Sequence, residues 1–189
     1  MNNDGFWVFG YGSLMWQPGF DVAETRMARL DGYKRAFALV SVHYRGTPER
    51  PGLVLGLDWE PASGCTGMAL RIGAGEADEV GHYLAERELV SRAYFEVSHP
   101  ITLLCPGRDS DRGEGDSVDA ICFILDRTHP QYAGGMALEE QAAMIGEAAG
   151  PTGTNRDYLF KTVAHLRELG VEDPELFELE RIVRERVGA

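Results

Sequence analysis

The pattern of apolar and polar positions changes character along the chain. In the first part, short apolar or alternating runs are separated by segments rich in glycine and proline, which predicts β-strands. The expected strands cover residues 6–9, 35–42, 53–59, 65–72, 94–104 and 120–125. The segments 46–48, 51–52 and 61–64 carry the Gly, Pro and Ser residues of turns, and an acidic loop at 108–119 separates the last two strands.

Helical periodicity dominates the second part. Apolar residues recur every three or four positions from Glu76 to about Val90, and again over 137–149, 155–169 and 174–187. Strands precede helices, with one helix inserted, which indicates an α+β fold rather than regular βαβ alternation. The chain has 189 residues and neither an internal repeat nor a long linker, so we expect one domain over 1–189 with a helical part from about 137.

Composition excludes several classes of function. The chain is 44% hydrophobic and 25% charged with a net charge of −12, so we expect no binding to nucleic acid or anionic membranes. No apolar run has the length of a membrane span, and residues 1–4 lack the features of a secretion signal. Cys65, Cys105 and Cys122 form no CxxC pair and so indicate neither a zinc nor a redox site. We expect a protein of the reducing cytoplasm.

The first strand ends in the unusual segment VFGYGSLMW, residues 8–16. A dinucleotide-binding turn requires a third glycine where Met15 stands, and Pro18 interrupts the helix that should follow. A nucleophile elbow requires glycine two residues before and after Ser13, where Tyr11 and Met15 stand instead. The dinucleotide-binding interpretation therefore fails, and the sequence gives little support to a serine nucleophile.

Two interpretations of this segment remain open. Gly10 and Gly12 lack a Cβ, so the backbone N–H groups there can approach a small ligand closely, with Ser13 adding a hydroxyl and Tyr11 a pocket wall. Alternatively, the segment is an ordinary tight turn that leaves a core strand.

The inserted helix, EADEVGHYLAERELVS at 76–91, carries an acid in an unexpected place. Helical spacing puts Glu88 near the middle of the apolar face, four residues after Leu84. A carboxyl group there costs free energy unless it is paired or hydrogen-bonded, and a proton-transferring acid uses such an environment. The alternatives are that the helix frays near Glu88 or that Arg87 or another basic residue pairs with it.

Four segments occur in a fixed order: VFGYGSLMW at 8–16, HYRGTPERPG at 43–52, YLAERE at 83–88 and GPTGTNRDYLF at 150–160. Together they resemble the ChaC-type γ-glutamylcyclotransferases, and DRTHPQY at 126–132 resembles the bacterial branch. The resemblance runs from about Trp7 into the C-terminal helices. It implies a small closed or nearly closed β-barrel with flanking helices. It also implies the conversion of glutathione to 5-oxoproline and cysteinylglycine, without a metal or redox cofactor.

The resemblance also assigns roles to residues. Tyr11, Gly12, Ser13 and Leu14 match the loop that holds the γ-glutamyl group, and Glu88 matches the general base and acid. Glu88 would take a proton from the substrate's α-amine, which then attacks its own γ-carbonyl. Backbone N–H groups of the loop would stabilise the oxyanion, and Glu88 would return the proton to the leaving nitrogen.

Three further segments carry weaker expectations. Arg45 is expected either to pair with a substrate carboxylate or to be a surface arginine, and Tyr158 either to line the pocket or to pack in the core. Thr154 and Asp157 suggest a helix cap rather than a phosphate loop, since no lysine follows the glycines. The loop 107–115 is a candidate lid by composition.

Two other functions remain open at this point. One is a cyclotransferase for other γ-glutamyl peptides or amines, because residues 89–94, LVSRAY, depart from some relatives after Glu88. The other is a non-catalytic γ-glutamyl-binding regulatory protein. Retention of Glu88 and of the whole 10–14 loop argues against the latter, since an inert pocket has no use for a costly buried acid.

Overall fold

A computed structural model describes residues 5–88, 92–104 and 115–188. It contains seven strands, four α-helices and two 3-10 helices, at 13–15 and 74–76, within these ranges. The strands are β1 (Phe6–Gly10), β2 (Glu24–Ser41), β3 (Gly52–Ile72), β4 (Tyr94–Leu103), β5 (Ser117–Leu125), β6 (Ala149–Gly150) and β7 (Gly153–Thr154). The helices are α1 (Ala77–Glu88), α2 (Leu138–Glu147), α3 (Asn155–Glu168) and α4 (Pro174–Val187). The predicted α+β class is confirmed.

Five strands close into a barrel in the order β1-β3-β2-β4-β5, with a further pairing of β3 to β5. Strand β1 runs antiparallel to β3, from Phe6 opposite Ile72 to Gly10 opposite Met68, and parallel to β5. Strands β4 and β5 pair antiparallel from Tyr94 opposite Leu125 to Thr102 opposite Ser117. The barrel that the resemblance implied is confirmed.

Strand β3 differs from the sequence prediction. Residues 53–59 and 65–72 were expected to be two strands joined by a turn at 61–64, but they form one continuous strand. A Cβ at Gly64 would lie 2.3 Å from Nη2 of Arg29, so this glycine gives room to a side chain of the neighbouring strand. Pro61 is exposed, where a strand tolerates proline. The turn prediction was therefore wrong.

The other strands follow the predictions with extended ends. Strand β2 begins at Glu24 instead of 35. The sequence did not predict this extension because Ala28 and Leu30 alternate with partly exposed polar residues in a weak pattern. Strand β5 begins at Ser117, so part of the predicted 108–119 loop is strand. Residues 108–114 of that loop lie outside the described residues.

The chain forms two compact units, one from Met1–Arg35 with Leu57–Asp126 and the other from Ala36–Gly56 with Arg127–Ala189. In the first, Val80 and Leu84 of α1 pack into an apolar cluster with Val8, Leu70, Phe123 and other barrel residues. On the same helix Glu79, His82 and Glu86 are exposed, so the predicted apolar face of α1 is confirmed. The expectation of a single domain stays a prediction.

In the second unit, α2, α3 and α4 pack against one another. Thr154 caps α3, accepting a hydrogen bond from the N–H of Asp157 at 3.2 Å, which confirms the predicted cap. Asn155 exchanges two 2.7 Å hydrogen bonds with the backbone of Leu53, so the start of α3 is fixed to β3. Glu180 is buried, accepts hydrogen bonds from Arg184 and forms an ion pair with Arg167, as a buried carboxylate requires.

Candidate active site

The segment after β1 forms a tight turn. It contains the 3-10 helix Ser13–Met15, in which the N–H of Met15 donates to the carbonyl of Gly12 at 2.9 Å. Tyr11 and Leu14 are buried, whereas Ser13 is half-exposed. Because the helix's own hydrogen bonds begin at Met15, it does not use the N–H groups of Ser13 and Leu14. The four predicted loop residues therefore share one short, ordered element.

The packing of the turn explains why position 10 is a glycine. A Cβ at this position would lie 3.2 Å from the Cβ of Leu14, tighter than most contacts, because the turn folds back on the end of β1. The backbone of β3 also comes close, since a Cβ at Gly67 would lie 2.4 Å from the carbonyl oxygen of Gly10. Of the two interpretations left open, the tight turn accounts for Gly10.

Arg35 supports the start of the turn. Its guanidinium is nearly fully buried, and its Nε donates to the carbonyl oxygen of Tyr11 at 2.6 Å. Its Nη2 donates to the carbonyl oxygen of Thr66, also at 2.6 Å. Charge-assisted hydrogen bonds of this kind compensate for the desolvation of a buried cation. Sequence reasoning missed Arg35, although a charged residue inside an apolar strand was a usable signal.

Arg87 supports the other end of the turn. Its Nη1 donates to the carbonyl oxygens of Gln17 at 3.0 Å and Pro18 at 2.7 Å, and to the hydroxyl of Tyr83 at 3.1 Å. Its Nη2 donates to Oγ of Ser13 at 2.9 Å. The sequence suggested Arg87 only as a partner for Glu88. The (i, i+4) spacing of Tyr83 and Arg87 was the one available signal of their contact.

Glu88 occupies the last position of α1, one helical turn after the buried Leu84. The predicted register of the helix is therefore confirmed up to this residue. The side chain of Glu88 lies outside what the structure describes, as do residues 89–91, Cys105 and positions 107–114 of the candidate lid. The roles assigned to Glu88 and to the lid stay predictions.

The other two predicted residues, Arg45 and Tyr158, meet in the second unit. The guanidinium of Arg45 lies 5.0 Å from the ring centre of Tyr158, and its Nη1 donates to the carbonyl oxygen of Thr152 at 2.6 Å. Burial lowers the pKa of Arg45, while Tyr158 and Asp157 act in the opposite direction. Tyr158 is buried and packs edge-on against Phe37. Arg45 is thus half-buried rather than a surface arginine, and Tyr158 contacts both it and the core.

The described ranges of the chain are 5–88, 92–104 and 115–188. They contain no cluster of three His, Cys, Asp or Glu side chains that could hold a metal ion. Burial, with a smaller contribution from Cys65, raises the pKa of Cys122 to about 12, so Cys122 is a protonated thiol at neutral pH. Within the same ranges, no helix is long and apolar enough to cross a membrane.

Solved structures with the same fold define the class of the barrel. A glutathione-specific γ-glutamylcyclotransferase from yeast superposes with a TM-score of 0.86 at 24% identity, over 96% of each chain. A structure named gamma-glutamyl cyclotransferase gives a TM-score of 0.54 at 14% identity, over 94% of this chain and 87% of the other. The chain therefore has the γ-glutamylcyclotransferase fold.

Sequence comparison defines the family. Residues 6–186 match the family model described as ChaC-like protein, and the chain belongs to this family. It is 35% identical over 173 residues to the glutathione-specific gamma-glutamylcyclotransferase of Escherichia coli, covering 92% of this chain and 70% of that protein. It is 34% identical over 200 residues to the Schizosaccharomyces pombe protein of the same name, covering 96% and 93%.

Proposed function

We propose that this protein is a glutathione-specific γ-glutamylcyclotransferase, an enzyme that cleaves glutathione to 5-oxoproline and cysteinylglycine. The observation that carries the proposal is the 35% identity to the Escherichia coli glutathione-specific enzyme over 92% of this chain. The ordered turn that contains residues 11–14 supports it, because it offers backbone donors beside β1. The substrate is thus a small molecule, and the net charge of −12 disfavours nucleic acid as a partner.

The reaction needs no second reactant. The α-amine of the γ-glutamyl group attacks the γ-carbonyl carbon, a C–N bond forms, and the amide bond to cysteinylglycine breaks. Glu88 accepts one proton from the α-ammonium group before the attack and returns it to the departing nitrogen. The second proton, released as the C–N bond forms, is taken up by the product amine, which leaves as an ammonium group, so protons and atoms balance. Both reacting groups belong to one molecule, and the protein's task is to fold the chain into the near-attack geometry.

The turn supplies the electrostatic part of catalysis. Negative charge develops on the γ-carbonyl oxygen as the ring closes, and N–H groups of Gly12, Ser13 and Leu14 stabilise it. Loss of one such donor typically costs about 3 kcal/mol of transition-state stabilisation. Tyr11 forms a wall of the γ-glutamyl pocket in this account.

Arg45 is proposed to bind a carboxylate of the substrate, and Tyr158 to line the site beside Arg45. In the described part of the chain, the bond to Thr152 is the one hydrogen bond that the Arg45 guanidinium donates. Its Nε and Nη2 groups therefore remain available for the paired contact that a carboxylate makes with arginine. We further propose a cytoplasmic location, where reduced glutathione and buried thiols such as Cys122 are maintained.

Product analysis with a panel of substrates tests this function. Reduced glutathione, γ-glutamylcysteine, γ-glutamylalanine and a γ-glutamyl amine are each incubated with the protein, and 5-oxoproline release is measured. We expect 5-oxoproline and cysteinylglycine in equal amounts from glutathione, and the highest kcat/KM with that substrate. A higher kcat/KM with the dipeptides or the amine would instead establish the broader cyclotransferase. Binding of γ-glutamyl compounds without turnover would establish the non-catalytic binding protein.

A further inference from the structure

Arg87 connects helix α1 to the turn that follows β1. Its four hydrogen bonds described above reach two backbone carbonyls at the end of the turn, one side chain within it, and Tyr83 on its own helix. Arg87 stands in the last turn of α1, where a cation also interacts favourably with the helix dipole. The residue therefore fixes the turn relative to the helix that ends at Glu88.

The contact with Ser13 has a directional consequence. A serine hydroxyl can accept hydrogen bonds and donate one, whereas a guanidinium donates only. Because Nη2 of Arg87 donates to Oγ of Ser13, the hydroxyl hydrogen of Ser13 has to point to a different acceptor. Ser13 is half-exposed, so a bound molecule has access to it. Arg87 thus presents Ser13 as a hydrogen-bond donor.

We propose that Arg87 is a positioning residue that holds the turn in place and directs the Ser13 hydroxyl toward the γ-carbonyl oxygen of the substrate. This inference rests on the proposed function. Ser13 donates to that oxygen as charge develops on it, in addition to the backbone N–H groups. Arg87 itself acts through Ser13 and the turn.

The geometry favours arginine over lysine at this position. Two nitrogens of one planar group, Nη1 and Nη2, serve acceptors from different parts of the turn at the same time. An ammonium group is a single point donor, so Arg87→Lys should keep the charge while losing part of this arrangement. The conservative variant therefore separates the effect of charge from the effect of geometry.

The test combines kinetics with amide exchange. The variants are Arg87→Met, Arg87→Lys, Ser13→Ala and the double variant Arg87→Met/Ser13→Ala. The control is Arg167→Met, which breaks the ion pair with Glu180 in the helical unit. The measurements are kcat and KM for glutathione, the melting temperature, and hydrogen–deuterium exchange of the Met15 and Gln17 amides.

We expect Arg87→Met to lower kcat by about 100-fold, the cost of a small misplacement of reacting groups, with a smaller change in KM. Arg87→Lys should recover part of that loss. In the double variant, Ser13→Ala should lower kcat only slightly beyond Arg87→Met alone, because the two residues act as one unit. Exchange at Met15 and Gln17 should increase in Arg87→Met, while Arg167→Met should lower only the melting temperature.

Three results would overturn the inference. The first is a kcat in Arg87→Met equal to that of Arg167→Met at a similar loss of melting temperature. The second is independent, additive effects of the Arg87 and Ser13 substitutions on kcat. The third is unchanged amide exchange in Arg87→Met. If the wild-type protein turns over no γ-glutamyl substrate, the proposed function and the catalytic role of Arg87 both fail, while amide exchange still decides whether Arg87 holds the turn.

Discussion

Arg87 in the first unit and Arg45 in the second use the same functional group differently. The guanidinium of Arg87 donates to four acceptors of the protein, three of which belong to the turn. Within the described residues, Arg45 donates from its guanidinium to Thr152 alone, while its face lies over Tyr158. The first arginine holds the turn, and the second is the one proposed to bind a substrate carboxylate.

The two arginines also differ in how well the protein compensates the desolvation of their charge. Burial lowers the pKa of Arg45, which means that its charged form is incompletely compensated in the unliganded protein. An arginine nevertheless stays protonated at neutral pH, so a bound carboxylate would supply the missing compensation. The comparison therefore predicts distinct phenotypes for the arginines that hold the turn and for Arg45.

The largest effect on stability is expected for Arg35→Met. This change removes the buried guanidinium and leaves the carbonyls of Tyr11 and Thr66 without these donors, at a cost of about 3 kcal/mol in the free energy of unfolding. Urea unfolding measures it. Arg26→Met, a partly exposed arginine of the same strand, is the matched control and should change little. Equal stability of the two variants would contradict a structural role for Arg35.

A change of affinity is expected for Arg45→Met. Loss of a charge-assisted contact with a substrate carboxylate should raise KM for glutathione by about 10- to 100-fold, with a small change in kcat. Arg50→Met, an exposed arginine of the same segment, should leave KM unchanged. Glutathione has a carboxylate on its γ-glutamyl group and one on its glycine. Steady-state kinetics with glutathione and its glycine amide would show which of the two Arg45 contacts. A fall in kcat at constant KM would place Arg45 with the arginines that hold the turn instead.

The effect of Cys122 is absent at neutral pH and appears only in alkali. Its folded-state pKa is about 12, above the ordinary value of 9.0, so folding favours the protonated thiol. The unfolded chain releases this proton first as pH rises, and the free energy of unfolding should therefore fall between about pH 9 and 12. The fall should be smaller in Cys122→Ala than in the wild type. Identical pH profiles would show that this thiol contributes nothing.

Local signals predicted the helices better than the strands. The bounds of α4 agree with the prediction because Asp173 caps its start, Pro174 follows, and Gly188 ends it with a φ of 68°. The turn predicted at 61–64 was wrong. Gly64 lies against the guanidinium of Arg29, a residue on another strand. In the sequence, a glycine that forms a turn looks the same as a glycine that makes room for a side chain of a neighbouring strand.

The candidate site was predictable only in part. The apolar face of α1 drew attention to Glu88, and the glycine-rich segment drew attention to residues 10–13. The resemblance supplied the role of that loop and added Arg45 and Tyr158. The partners of Arg35 and Arg87 were not predictable, since Tyr11 precedes Arg35 by 24 positions and Ser13 precedes Arg87 by 74. Such contacts depend on how the barrel closes, and no local pattern encodes that.

The central claim is that Glu88 transfers the proton during cyclisation, and one pair of variants tests it directly. Glu88→Gln is compared with Glu86→Gln, an exposed acid on the same helix, by measuring kcat for 5-oxoproline release from glutathione. Glu88→Gln should fold, bind glutathione and lose about 100- to 10,000-fold in kcat, while Glu86→Gln keeps the wild-type rate. A Glu88→Gln variant as active as the wild type would contradict the account.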